Sequence, residues 1–231
     1  MTLRAALVIP AAGSGSRFGG DVPKQFLSLA GRPVLLRSLD AFAGLVSEAV
    51  IVVESDLRAQ IAALLAQFPP AMPVRLCAGG ATRQASVQAG LLATSADCAR
   101  ILIHDAVRPL VPRRCIEACL LALSDHDGAV VAVPCAPTVK RADHDGRTVV
   151  ATVPRDHLWL AQTPQGGRRA ALLTAFARAA SEGHACSDDA QVLENAGFTV
   201  ALVRGDARNF KITTPDDLAL AEALLATGRG A

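Results

Sequence analysis

Short apolar runs recur at Ala5 to Ile9, Ala49 to Val53, Val74 to Cys77, Ile101 to His104 and Ala129 to Val133. Most are apolar throughout, as strands covered on both faces must be. Between them, Pro33 to Phe42, Leu57 to Phe68, Thr82 to Leu92 and Pro112 to Leu123 carry apolar residues three and four apart, the period of helices with one buried face. Pro33 and Pro112 suit a first helical turn, where a missing N–H costs nothing. The alternation predicts βαβ units and an α/β fold: three layers around a mainly parallel, Rossmann-like sheet.

The rhythm breaks after Val133. Residues 134–154 contain Thr138-Val-Lys-Arg-Ala, Asp143-His-Asp-Gly146 and Arg147-Thr-Val-Val-Ala-Thr-Val153. Asp-Gly between two β-prone runs predicts a hairpin. The segment is too small for a domain and too polar for the main sheet, so it is expected to be an arm projecting from one domain over residues 1–231. Such an arm would suit homodimerisation. Beyond it, Thr163-Pro-Gln165 reads as a rigid polar turn, Gly167 to Glu182 as a helix, Asp188 to Asn195 as a short helix, Thr199 to Val203 as a strand and Pro215 to Leu225 as a closing helix.

Composition narrows the partners. With 23 Lys and Arg against 21 Asp and Glu in 231 residues, the chain has no bulk charge that would bind nucleic acid or a membrane surface, so anion binding must come from local placement. No apolar run reaches the roughly 18 residues of a membrane span, and the short run ending at Pro10 lacks a signal-peptide core. Six scattered cysteines without a C-x-x-C pair predict reduced thiols in a cytoplasmic protein rather than a zinc site.

Chemistry is expected at the strand ends. Pro10-Ala-Ala-Gly-Ser-Gly-Ser-Arg17 follows the first strand, where Gly13 and Gly15 would let backbone amides approach an anion, and Arg17 and Lys24 could converge on one polyphosphate. The loop is neither the dinucleotide fingerprint, which wants glycine where Phe18 stands, nor a P-loop. A plain glycine turn with solvated charges remains the competing reading. Gly79-Gly80 follows the third strand, with Thr82 as the expected helix cap and Ser86 one turn on, where they could read a base edge.

His104-Asp105-Ala-Val-Arg108 ends the fourth strand. Asp105 would lie where a phosphate-bound Mg²⁺ sits, a weak signal from one acid. His104 is expected to be structural, and Asp188 and Asp189 to start a helix. Lys211 ends a strand rather than decorating a helix, which favours a role, and Thr214 should cap the last helix with Asp216 and Asp217 nearby. There is no G-x-S-x-G elbow and no nucleophile matched to a base. Mg²⁺-assisted nucleotidyl transfer fits best, because it needs positioning and positive charge rather than a protein nucleophile.

These motifs, with Thr138-x-Lys140 and Asn209-x-Lys211-x-Thr-x-Pro-x-Asp-Leu218, together resemble the 2-C-methyl-D-erythritol 4-phosphate cytidylyltransferases of the non-mevalonate isoprenoid pathway, in order over nearly the whole chain. The resemblance implies a fold of the nucleotide-diphospho-sugar transferase type and a reaction of CTP with methylerythritol 4-phosphate that releases pyrophosphate. It implies that Arg17 and Lys24 stabilise the transition state and that Arg155 and Lys211 position the substrate phosphate. Ala11, Ala12, Gly13, Gly15, Gly79, Gly80, Ser86 and Asp105 would bind the nucleotide, and Arg108, Thr138 and Thr163 would lie near the polyol. It also implies a homodimer with crossed arms, so that Arg108, Thr138 and Arg155 could serve the neighbour's site. Two positions depart from the family pattern: Ala81 and Pro154 stand where acids are common. The alternatives are a ribitol 5-phosphate cytidylyltransferase and, in a different class, a non-catalytic CTP-binding regulator.

Overall fold

The computed structural model describes residues 4–12 and 23–228. Seven strands form the central sheet: β1 (Ala5–Pro10), β4 (Glu48–Val53), β5 (Val74–Ala78), β6 (Arg100–Ile103), β7 (Gly128–Pro134), β10 (Trp159–Arg168) and β11 (Val200–Arg204). Their order is β11-β7-β10-β6-β1-β4-β5, and only β10 runs antiparallel to its neighbours. The chain starts in the middle at β1, moves outward through β4 to β5, and returns to β6 on the other side. The carboxyl ends of β1 and β6 therefore flank a topological switch point, where loops part and leave a crevice.

Alternate residues of these strands feed two cores. Leu7, Ile9, Ile51 and Leu102 face one layer with helices α1 (Val34–Asp40), α2 (Arg58–Gln67) and α4 (Arg113–Ala122). Val8, Val50, Val52, Ile101 and Ile103 face α3 (Arg83–Ala93), α5 (Arg169–Glu182) and α6 (Asp189–Asn195). This two-sided burial explains the uniformly apolar strands. A Cβ on Gly90 would come within 2.5 Å of Val8 and 2.8 Å of Val52, so glycine lets α3 lie hard against the sheet. A third, smaller core including Leu29, Val107 and Ile212 lies under α7 (Pro215–Ala226).

Differences from expectation are local. Thr163-Pro-Gln165 is no turn: it lies inside the ten-residue β10, whose pairing with β7 is irregular between Ala161 and Gln165. The expected helix from Gly167 accordingly begins at Arg169. Pro33 and Pro112 occupy cap positions immediately before α1 and α4. A minute hairpin of β2 (Ser28–Leu29) and β3 (Arg32–Pro33) adds to the expected elements.

Within 134–154, β8 (Val139–Ala142) pairs with β9 (Val149–Val153) in a two-stranded sheet separate from the main one. Gly146 turns the chain between them at φ +67°, a conformation that costs glycine little. Among the described residues no helix is long and apolar enough to cross a membrane.

Candidate active site

Three strand ends bring the chemistry together. At the end of β1, the Ala11 N–H donates to the Val52 carbonyl at 2.8 Å, which continues the sheet into the loop. Gly13, Gly15 and Arg17 lie outside the described residues. The chain re-enters as a 3-10 turn over Lys24–Phe26, and the buried Gln25 side chain donates back to the Ala11 carbonyl at 3.2 Å. Lys24 is thereby tied to the root of the loop through a neighbour, Gln25, whose buried bond spacing alone did not reveal.

At the end of β5, the Gly80 N–H donates to Ser86 Oγ at 3.1 Å, and the Thr82 side chain caps α3 by accepting from the Ala85 N–H. The turn has no room for side chains. A Cβ on Gly79 would meet Ser86 Oγ at 2.9 Å and the Ala12 Cβ at 3.1 Å, and one on Gly80 would meet the Ala85 Cβ at 2.6 Å. Ala12, Gly79, Gly80 and Ser86 therefore form one wall. Ala81 is exposed and offers no polar side chain.

Asp105, just past β6, is the electrostatic centre. Its Oδ2 lies 3.2 Å from Lys211 Nζ and 3.0 Å from Arg108 Nε, and Arg83 approaches Oδ1 at 4.0 Å. Burial alone would push this carboxyl up. Lys211, then Arg108 and Arg83, outweigh burial and hold it well below the usual carboxylate range. Asp105 thus stays ionised and gathers three cations at the switch point.

Arg83 is the second residue that the sequence did not single out. From the first turn of α3 it donates two bonds to the buried Asp189, at 2.9 and 2.7 Å. Burial opposes its charge, but Asp189 chiefly, with Asp105 and Asp188, raises the guanidinium above its ordinary value. It ties the glycine turn to Asp105 on one side and to α6 on the other. Asp188 caps α6, accepting from the Gln191 N–H.

A buried polar chain supports Asp105 from behind. The Asp105 N–H donates to Thr163 Oγ1 at 3.0 Å, and Thr163 Oγ1 lies 2.9 Å from His104 Nδ1. His104 Nε2 lies 3.0 Å from the Arg108 carbonyl. One assignment satisfies all four groups: Nε2–H donates to the carbonyl, and Nδ1 accepts the threonine proton. Burial lowers the His104 pKa to about 4, against partial compensation from the Arg108 carbonyl and Asp105, so the ring is neutral at neutral pH. Asn209 extends the chain: its Nδ2 donates to the Thr163 carbonyl at 2.6 Å, and its own carbonyl accepts from Arg108 Nη1 at 2.8 Å. Gln165 pins α6, accepting from the Ala190 N–H at 2.7 Å and donating to Asp188 at 2.9 Å.

The arm residues stand apart. Thr138 and Arg155 are exposed, Arg155 donates to the Ala136 carbonyl, and Lys140 donates to Thr152 at 2.7 Å. Among the described residues, no ion pair or hydrogen bond joins them to the Asp105 cluster within one chain. Nor does any group of three or more His, Cys, Asp or Glu side chains there form a metal centre. Asp105 fits Mg²⁺ only through Oδ1, because Oδ2 is already held by Lys211 and Arg108.

The arrangement sets a closely packed glycine turn beside three cations gathered on one ionised carboxylate. The 2-C-methyl-D-erythritol 4-phosphate cytidylyltransferase (IspD) family model matches residues 5–227. A Deinococcus radiodurans protein of that name is 48% identical over 221 residues, covering 96% of this chain and 89% of the relative. One from Burkholderia multivorans is 43% identical and covers all of both chains. Among solved structures, the Thermus thermophilus 2-C-methyl-D-erythritol 4-phosphate cytidylyltransferase superposes with TM-score 0.80 at 36% identity, covering 96% of this chain and 99% of its own. The 4-diphosphocytidyl-2C-methyl-D-erythritol synthase of Anaerococcus prevotii superposes with TM-score 0.83 at 28% identity, covering 96% and 98%. On its sequence, its switch-point fold and the residues gathered there, the chain belongs to the 2-C-methyl-D-erythritol 4-phosphate cytidylyltransferase family.

Proposed function

We propose that this chain joins CTP to 2-C-methyl-D-erythritol 4-phosphate, giving 4-diphosphocytidyl-2-C-methyl-D-erythritol and pyrophosphate. A phosphate oxygen of the polyol attacks the α-phosphorus in line. The new P–O bond forms as the α–β anhydride bond breaks, and the electron pair leaves on pyrophosphate. The observation that carries this reading is the convergence of Lys211, Arg108 and Arg83 on the ionised Asp105, beside a closely packed glycine turn at the end of β5.

In this reading, Ala11, Ala12, Gly13, Gly15, Gly79, Gly80 and Ser86 bind CTP. Arg17 and Lys24 stabilise charge at the α-phosphorus, where fixed cations contribute most because they need no reorganisation. Lys211, held by Asp105, and Arg155 orient the incoming phosphate, with Arg108, Thr138 and Thr163 near the polyol. Mg²⁺ would neutralise triphosphate charge, and Asp105 would offer Oδ1 to hold it.

We also infer a cytoplasmic homodimer built through the arm. Val149 and Val150 are 61% and 58% exposed on β9, an apolar edge that a second copy would cover. Dimerisation would bring Thr138 and Arg155 to a neighbouring site, which accounts for their isolation within one chain. Six free thiols suit a reducing compartment.

Pyrophosphate release from CTP and Mg²⁺, measured with methylerythritol 4-phosphate and separately with ribitol 5-phosphate, tests the reading. Turnover with the first and little with the second is expected. A preference for ribitol 5-phosphate, or CTP binding without release in either case, would overturn it.

A further inference from the structure

A cavity opens at the end of the sheet opposite the Asp105 cluster. It has a volume of about 670 Å³, and its lining includes Arg100, Arg168 and Arg169 together with Leu123 and Leu173. β10 runs antiparallel to β6, so its last residue, Arg168, sits directly opposite Arg100, the first residue of β6. The cavity therefore lies at the amino ends of the parallel strands. The strand from Arg100 to Ile103 spans roughly 10 Å and points away from it toward Asp105.

The charge there is poorly compensated. Two arginines directly opposite on adjacent strands repel each other. Arg100 has only a hydroxyl partner among the described residues, Ser124 Oγ at 3.0 Å, and its Nε is buried without a hydrogen-bond partner. Among the described residues the Arg169 side chain donates only through Nη1, to the Leu91 carbonyl and Thr94 Oγ1. The nearest carboxylate is Asp127, 3.7 Å from Arg168, and it also accepts from the Thr199 hydroxyl at 2.9 Å. Arg168 in addition donates to the carbonyls of Leu123 and Ser124, so it caps α4 as well as facing the cavity.

The amino terminus of α5 adds to this field. Its first turn contains no acidic residue and its cap position supplies no side-chain hydrogen bond, while Ala170 of that turn lines the cavity. Helix amino termini favour anions. The leucines, with Ala96 and Ala99, make the remaining wall apolar, and no aromatic side chain is present to stack on a base. The volume lies within the range of small-molecule sites and is far larger than an inorganic phosphate needs.

We propose that this cavity is a second ligand site, distinct from the cytidylyl-transfer site, which takes a phosphomonoester carrying a compact aliphatic body. The phosphate meets Arg100, Arg169 and the start of α5, and the hydrocarbon lies against Leu173, Ala96 and Ala99.

Titration of the full chain with n-butyl phosphate, followed by NMR of leucine methyl groups, tests this directly. Saturable shifts at Leu173 are expected, with binding about tenfold tighter than that of inorganic phosphate, while n-butanol alone gives none. Arg100→Gln should weaken n-butyl phosphate binding about tenfold, the effect of one lost bond to a charged group, and leave cytidylyl-transfer kcat unchanged. Leu173→Gln should remove the advantage over inorganic phosphate and retain phosphate binding, an independent readout should Arg100→Gln fold poorly. Absence of saturable shifts, equal affinity for inorganic phosphate, or unchanged binding in both variants would overturn the proposal.

Discussion

Replacing Asp105 with Asn is the most informative single perturbation of the site, because it keeps shape and removes charge. In the folded chain, Oδ2 holds Lys211 at 3.2 Å and Arg108 at 3.0 Å. Without the carboxylate, three cations face one another across a partly buried crevice, with only Arg83 retaining a carboxylate partner, Asp189. Breaking a fully buried pair costs about 3–5 kcal/mol. Lys211 is 36% exposed, so solvent screening reduces this to about 2–3 kcal/mol.

The pH dependence identifies the cause. A carboxyl lowered by folding contributes stability that is present above its unfolded value of about 3.9 and lost as pH falls below it. Urea unfolding of wild type and Asp105→Asn should therefore differ most near neutral pH, and the difference should narrow below about pH 4. Activity should fall through a raised KM for the polyol phosphate, because Lys211 loses its anchor. Stability and KM both at wild-type values in Asp105→Asn would refute the assignment of Asp105 as the organiser of the cation cluster.

Gly80→Ala should lower kcat/KM for CTP by about tenfold or more without changing the polyol KM, because the added methyl, 2.6 Å from the Ala85 Cβ, must displace the first turn of α3 and its Ser86 bond; steady-state kinetics with each substrate varied checks this. His104 adds a separate acid limb. Its pKa falls to about 4 on folding, so its contribution is complete above about pH 6.5 and is lost on descent toward pH 4, up to about 3 kcal/mol. Unfolding of His104→Gln should lack that limb, and an identical slope in the variant would assign it elsewhere. Val150→Asp, on the exposed face of β9, should shift the particle toward monomer in light scattering and lower turnover; an unchanged dimer would remove the arm from the interface.

What the sequence made legible follows from where each residue's partners lie. The strands β1, β4, β6 and β7 are apolar because layers cover both faces, and that signal is local. The caps at Thr82, Asp188 and Thr214 bond amides three residues on, so they too are visible in a short window. β10 was obscured because its polar residues are buried against distant partners: Thr163 against His104, Gln162 and Thr163 against Asn209, Gln165 against Asp188. With Pro164 and two glycines alongside them, these residues carry the composition of a turn. Arg83 carries no local signal, because its carboxylate, Asp189, is 106 residues away. The clustering of Lys211, Arg108 and Asp105 depends on β6 returning beside β1, which is a property of topology rather than of spacing.

The central claim is a single in-line displacement at the α-phosphorus, supported by fixed cations with no covalent protein intermediate. The stereochemical course tests it most directly: CTP carrying a single configuration of α-thiophosphate is turned over with methylerythritol 4-phosphate, and the configuration of the diphosphate product is assigned by phosphorus NMR. One displacement inverts the centre, so inversion is predicted. Retention would require two displacements through a protein-bound cytidylyl group and would contradict the account.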